Sequence, residues 1–282
     1  MKFLPMNKLV ILYFLALCSS LNAQYYYKDI VAANDLTRLI ATYKTNNIQK
    51  VTSTGITSEG QRSNDFNETQ DINNNFTTLK ITTRINKTVS SLLHRFDQNG
   101  RLLSSVDSSS GVKSTSTYIY YENGNISAIN NLAIDADSSG SFTQSEEHIY
   151  IYNNGKLEKM WRIINKKDSL EVRFVTDENG NIIEERNFRR GIGSDPIYYY
   201  YDGRNRLTDI VRYNYKARRL LPDFLFEYDE QNRVIQKITT TSAQNIGYLT
   251  WRYIFNEKGL KTKEALFNKE KVLQGRIDYN YN

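Results

Sequence analysis

Seven times between Phe96 and Lys261 the chain repeats one pattern: an aromatic residue, a short polar link, Gly or Asn, and then an aliphatic residue. The copies read "FDQNGRLLSSV", "YENGNISAI", "YNNGKLEKM", "TDENGNIIEE", "YDGRNRLTDI", "YDEQNRVIQK" and "FNEKGLKTKE", with Thr176 replacing the aromatic in one of them. Their turn residues are Gly100, Gly124, Gly155, Gly180, Asn205, Asn232 and Gly259, spaced by 24, 31, 25, 25, 27 and 27 positions. A fixed period of this length marks a repeated supersecondary unit. Gly and Asn are the residues that reach positive φ most easily, and four of the seven turns are Asn-Gly pairs, so each unit is read as a β-hairpin.

Alternation on both sides of each turn favours strands over helix. One stripe carries Ile119 and Tyr121, Tyr150 and Tyr152, Phe174, Tyr199 and Tyr201, Phe226 and Tyr228, then Tyr253 and Phe255. After the turn come Leu102, Ile126, Leu157, Ile182, Leu207, Val234 and Leu260. A regular stripe of this kind is a buried face held by cross-strand pairs. The intervening positions vary from copy to copy, and four tyrosines fall on them: Tyr118, Tyr120, Tyr198 and Tyr200. Exposed tyrosines suit contact with a glycan or a protein, which makes these four the candidate binding residues.

The remaining segments are assigned around the array. Residues 1–23 read as an export signal, with Lys2 and Lys8 ahead of the apolar "LVILYFLAL" and a cleavage site after "LNA". That apolar stretch is too short to span a bilayer. Cys18 offers a lipoprotein alternative, disfavoured by the bulky Leu17 before it. Residues 24–51 hold one helical pattern, Leu36, Leu39, Ile40 and Tyr43 behind an Asn34 cap. Residues 52–75 are polar and Asn-rich and read as a loop or linker. Residues 76–282 form the hairpin array, ending in a strand with Tyr279 and Tyr281. The expected fold is therefore all-β, a curved antiparallel sheet or partial shell of repeated β-hairpins with a short N-terminal helical segment.

The Tyr-Asp, link, Gly-Arg or Asn-Arg motif resembles the YD repeat of Rhs and teneurin-type proteins, most closely in "YYYYDGRNRLTDI" and "FEYDEQNRVIQKI". The resemblance covers roughly Leu92 to Asn282 and implies hairpins that spiral into a shell. It departs from the toxin-bearing members, since the single Asp-Pro, at Asp195, has no glycine after it. What the resemblance then implies is a short, signal-bearing envelope protein of a Gram-negative bacterium, with no activity attached.

Chemistry is sparse. The formal net charge is +6, or +4 once Lys2 and Lys8 are removed, and basic and acidic residues alternate, which argues against a nucleic-acid partner. His94 and His148 sit on separate expected strands without a ligand cluster, and are read as strand-surface residues rather than metal ligands. Adjacent carboxylates such as Glu146 and Glu147, or Glu184 and Glu185, point to opposite faces of a strand and form no acid-base pair. Charged outward positions argue against a membrane barrel. The expectation is an extracytoplasmic, non-enzymatic binding or scaffold protein without metal or cofactor, whose partner is a protein or glycan of the envelope. The alternative is a hydrolase using carboxylates inside the shell.

Overall fold

The computed structural model describes residues 25–109, 111–135, 142–240 and 247–282. The expected export signal, with Cys18, lies outside the described residues. Among the described residues one helix, α1 (Tyr27–Thr45), precedes nineteen strands. These are β1 (Lys50–Thr57), β2 (Arg62–Ile72), β3 (Thr78–Ile85), β4 (Thr88–Phe96), β5 (Leu102–Ser109), β6 (Val112–Tyr120), β7 (Ile126–Asp135), β8 (Thr143–Asn153), β9 (Lys156–Ile164) and β10 (Asp168–Thr176). They continue as β11 (Ile182–Arg189), β12 (Ile192–Gly193), β13 (Ile197–Tyr201), β14 (Leu207–Asn214), β15 (Arg219–Tyr228), β16 (Val234–Thr240), β17 (Tyr248–Phe255), β18 (Lys261–Phe267) and β19 (Leu273–Tyr281).

All pairings are antiparallel and join neighbours in sequence, except that β11 pairs with β13 and β1 pairs with β19 as well as β2. The two-residue β12 touches only β11, so the nineteen strands less this one leave an eighteen-stranded closed barrel. The expected open shell is corrected on this point, and the reason lies in the segment expected to be a loop. Residues 52–75 supply most of β1 and β2, the strands that close the ring. Their inward positions include Ser53, Glu68 and Gln70, which are buried but polar, so the apolar alternation that announces a strand is missing while Thr and Val still favour extended backbone. Closure removes both sheet edges, which an open array would leave unpaired.

The turns explain the repeat. In the copy after β13, the Asp202 carboxylate accepts the backbone N–H groups of Arg204 and Arg206 at 2.9 and 3.0 Å and the Arg206 Nε at 2.7 Å. Asn205 takes φ +57°, and the strand register shifts between Tyr200 and Tyr201, the signature of a turn followed by a left-handed bulge residue. Each turn is also tied to the next. Arg206 donates to the Asp229 carbonyl at 2.8 Å and lies 4.8 Å from the Tyr228 ring centre. Tyr228 reaches back to the Leu207 carbonyl at 2.7 Å, as Tyr201 does to Ile182 and Tyr120 to Leu102. Arg233 continues the series onto Asn256 and Phe255.

Register corrects two details of the stripe. Tyr120, paired with Ile126, takes the aromatic place of its copy and Tyr121 takes the Asp place. Hence Ile119 and Tyr121 are exposed, while Tyr118 and Tyr120 pack against the core. At the last turn, Phe255 pairs with Lys261, so a lysine stands where other copies have Leu, Ile or Val.

Helix α1 runs inside the ring. Its ends and flanks touch inward residues of many strands: Tyr25 packs on Phe224, Tyr27 on Tyr199, Asp29 on His148, and Tyr43 donates to Gln70. It begins seven residues earlier than Asn34, which is mid-helix. Its first amide groups are instead met by the buried Glu185 carboxylate of β11, which accepts from Tyr26 N and Tyr27 N at 2.8 and 3.0 Å. An anion at a helix N-terminus satisfies unpaired donors and complements the helix dipole. A long-range cap of this kind has no local sequence signature.

Candidate functional site

The helix divides the lumen. One side of it, with Tyr26, Ala33, Ile40 and Tyr43, is buried in a cluster with Leu79, Leu102, Ile129, Tyr150, Met160 and Val172 from β3 to β10. Burial of side chains of this size stabilises by about 1.5–3 kcal/mol each. The other side, with Val31, Asn34, Asp35, Arg38 and Thr42, faces a cavity of about 1170 Å³. The facing wall comes from β15 to β19 and β2, and the cavity opens at the repeat turns, where Arg204, Gln231 and Lys258 line its mouth.

The wall is aromatic and charged. Phe226, Trp251, Tyr253, Tyr279 and Tyr281 all reach the cavity. Lys237 of β16 is the cross-strand partner of Phe226 on one side and Trp251 on the other, placing one cation between two aromatic neighbours in a single inward row. Its Nζ lies 5.0 Å from the Phe224 ring centre and 6.0 Å from that of Phe226. Burial pulls the Lys237 ammonium below its ordinary range, opposed by the charges of Glu264 and Asp35. Lys261 lies between the Tyr253 and Tyr279 rings at 5.2 and 4.8 Å and pairs with Glu264 at 2.5 Å. Burial disfavours its charge, but the Glu264 carboxylate outweighs that and raises it. Deeper still, Thr83 donates to Glu68 at 3.0 Å and Gln70 to Glu68 at 3.1 Å.

A second polar cluster anchors the start of the helix. His148 is held by Asp29 at 2.9 Å and Glu146 at 2.7 Å, and Arg162 pairs with Glu146 at 2.7 Å. Burial opposes the imidazolium, yet the two carboxylates raise it to about 9. Glu185 also accepts the Tyr199 hydroxyl at 2.7 Å, and burial pushes its carboxyl up to about 7. The surface reading of both histidines is therefore corrected: His94 and His148 are on strands but face inward and are buried. His94 is drawn down to about 4 by burial and contacts Ser105 at 2.8 Å. Neither histidine lines the cavity. Among the described residues no group of three or more His, Cys, Asp or Glu is placed to hold a metal ion.

The four tyrosines singled out from the sequence are not brought together. Tyr198 and Tyr200 point outward on β13, with Tyr200 48% exposed, whereas Tyr118 and Tyr120 point inward on β6. The cavity residues were missed because inward positions were read as packing alone. One signal was available in part: Lys261 stands where the other copies have Leu, Ile or Val, and Lys237 and Glu264 stand at a position that is Ile129, Met160 and Ile210 in three copies but Ser105 and Glu185 in two others.

The outer surface carries mid-strand ion pairs, Glu171 with Arg173, Glu184 with Arg186 and Arg276 with Asp278. They interrupt the apolar band that a membrane barrel presents to lipid. No helix among the described residues is long and apolar enough to cross a membrane, which says nothing about strands.

No family model and no curated protein matches the chain. Among solved structures it is similar to a porin-like protein from Bacteroides uniformis at 9% identity and TM-score 0.42, covering 83% of this chain and 98% of that one. A porin-like protein from Bacteroides vulgatus aligns at 13% identity and TM-score 0.22, over 83% and 98% of the two chains. The Tc holotoxin pore of Photorhabdus luminescens aligns at 11% identity and TM-score 0.30, over 84% of this chain and 17% of that one. All three fall below a TM-score of 0.5, and the fold rests on the chain's own strand pairing. The YD-repeat resemblance is corrected on two grounds: no family model supports it, and the hairpins close one ring instead of spiralling into a shell.

Proposed function

We propose that this protein is a binding protein of the cell envelope that takes a ligand into its barrel lumen and does not transform it. The observation that carries this reading is the cavity of about 1170 Å³ between α1 and the wall of β15–β19, open at one rim and lined by aromatic and charged side chains. Concave sites with a few converging polar groups are where ligands are held. Envelope placement is supported by the export-type start of the sequence. A lumen of this size suits a glycan or small molecule better than a folded protein.

The test is native mass spectrometry on protein purified from the envelope fraction, beside a cavity-filling variant, Val234→Trp. A co-purifying mass that disappears in the variant is the expected result. A mass retained by Val234→Trp but lost on Tyr198→Ala/Tyr200→Ala would transfer the site to the outer face. A hydrolase remains the second reading, because Glu68 and Glu264 both line the cavity. Release of reducing ends from envelope polysaccharide, abolished by Glu264→Gln, would favour it over binding alone.

A further inference from the structure

We propose that the lumen site takes an acidic saccharide, with a ligand carboxylate against Lys237 and a sugar ring on the neighbouring Trp251 and Phe226. This rests on the lumen-binding reading above and names the class of ligand.

Three observations converge on it. The first is the row Phe226, Lys237, Trp251, which strand register places side by side on the inward faces of β15, β16 and β17. Two flat aromatic side chains flanking one cation match a ring that carries an anion beside an apolar face. Burial disfavours the Lys237 ammonium while Glu264 and Asp35 favour it, and a ligand anion seated beside it adds to that favourable side.

The second is the polarity of the rest of the lining. Asn34, Asn181 and Gln231 face the same space as Asp35 and Arg38. A hydrocarbon chain filling this cavity would strip water from those groups without replacing its hydrogen bonds, at a cost of roughly 1–3 kcal/mol per group. A saccharide replaces them with hydroxyls. The third is that the ligand cation alternative is already satisfied internally: the Tyr253 and Tyr279 rings hold Lys261, and Tyr228 and Phe255 hold Arg206 and Arg233. A cation-binding cage needs such faces free.

The experiment is isothermal titration of the purified protein with trigalacturonic acid, its neutral counterpart galactotriose, and dodecanoate. The acidic trimer is expected to bind at least tenfold more tightly than the neutral one, with the gap narrowing as salt is raised. Lys237→Met should abolish the gap and Lys237→Arg should keep most of it. Trp251→Leu should weaken both saccharides. Equal binding of the two trimers, or a tenfold gap that survives Lys237→Met, would overturn the carboxylate assignment. Saturable dodecanoate binding with neither trimer bound would overturn the saccharide class while the lumen reading stands. Acidic-trimer binding unaffected by Val234→Trp would place the ligand outside the lumen and remove both readings. Absence of saturation by either trimer, with folding confirmed by near-ultraviolet circular dichroism, would also overturn the proposal.

Discussion

The walls β4–β11 and β15–β19 are made from the same hairpin unit, yet they serve different ends. The first meets α1 with Leu102, Ile129, Tyr150, Met160 and Val172, all buried. In the second, β15, β16 and β17 contribute no fully buried apolar side chain among the described residues, and their inward positions carry Phe226, Lys237, Trp251 and Tyr253. A single helix cannot fill an eighteen-stranded ring, so it packs on one wall and leaves the other facing space. The repeat motif is thus responsible for the frame, since its Asp, Arg and Tyr stitch one turn to the next on both walls. What faces inward from the middle of each strand decides whether that part of the frame is core or site.

This contrast can be broken most severely by truncation. Met160→Ala on the sealed wall should cost about 2–5 kcal/mol, because a cavity opens in close-packed surroundings. Trp251→Ala on the open wall should cost clearly less, its ring already bordering space. Equilibrium urea unfolding of the two variants decides it, and equal losses would mean that the open wall is core after all.

A smaller effect concerns the anchor of α1. Glu185 holds its proton up to about pH 7 when folded, against the usual 4.5, so the folded chain binds the extra proton between those values and stability falls as pH rises through that window. His148 keeps its proton to about 9 against 6.5, so its contribution is complete below 6.5 and lost as pH rises through 9. Both slopes have the same sign. Melting temperature should decline from pH 5 to pH 9, and Glu185→Gln/His148→Gln should flatten the decline. A profile rising towards pH 9 would contradict the clamp.

On the open wall, Lys261→Leu/Glu264→Leu replaces the pair by apolar residues and restores at position 261 the aliphatic residue of the other copies. Replacing a buried ion pair by apolar groups is commonly neutral or stabilising, by up to about 1–4 kcal/mol, whereas Lys261→Leu alone strands the Glu264 charge and should destabilise. If the double variant unfolds more easily than the single one, the pair is structural. The smallest expected change is at the stitch: Tyr228→Phe removes one hydroxyl bond to the Leu207 carbonyl and should cost about 1 kcal/mol.

Much of the frame could be read from residue order. The hairpins, their turns and the helix around Leu36–Tyr43 follow from short-range chemistry: positive φ at Gly and Asn, Asp side chains accepting nearby amides, and apolar spacing. Sliding the copy at Tyr121 by one position reversed the faces of Tyr118 and Tyr120, because one bulge residue inverts every side chain along a strand. The candidate site was less legible. Lys237, Lys261 and Glu264 are ordinary charged residues in a strand until both neighbours and the direction of the lumen are known.

Sequence by itself determined the unit, an antiparallel hairpin with a motif that links it to the next, since each of those interactions spans at most about one repeat. Only the tertiary structure decided that the units close into a ring, through β1 and β19, and that α1 lies within it, held by Glu185 from 158 residues away. Those contacts join segments far apart in the chain and use polar inward residues, Ser53, Glu68 and Glu185, whose role becomes visible when distant strands supply their hydrogen-bond partners.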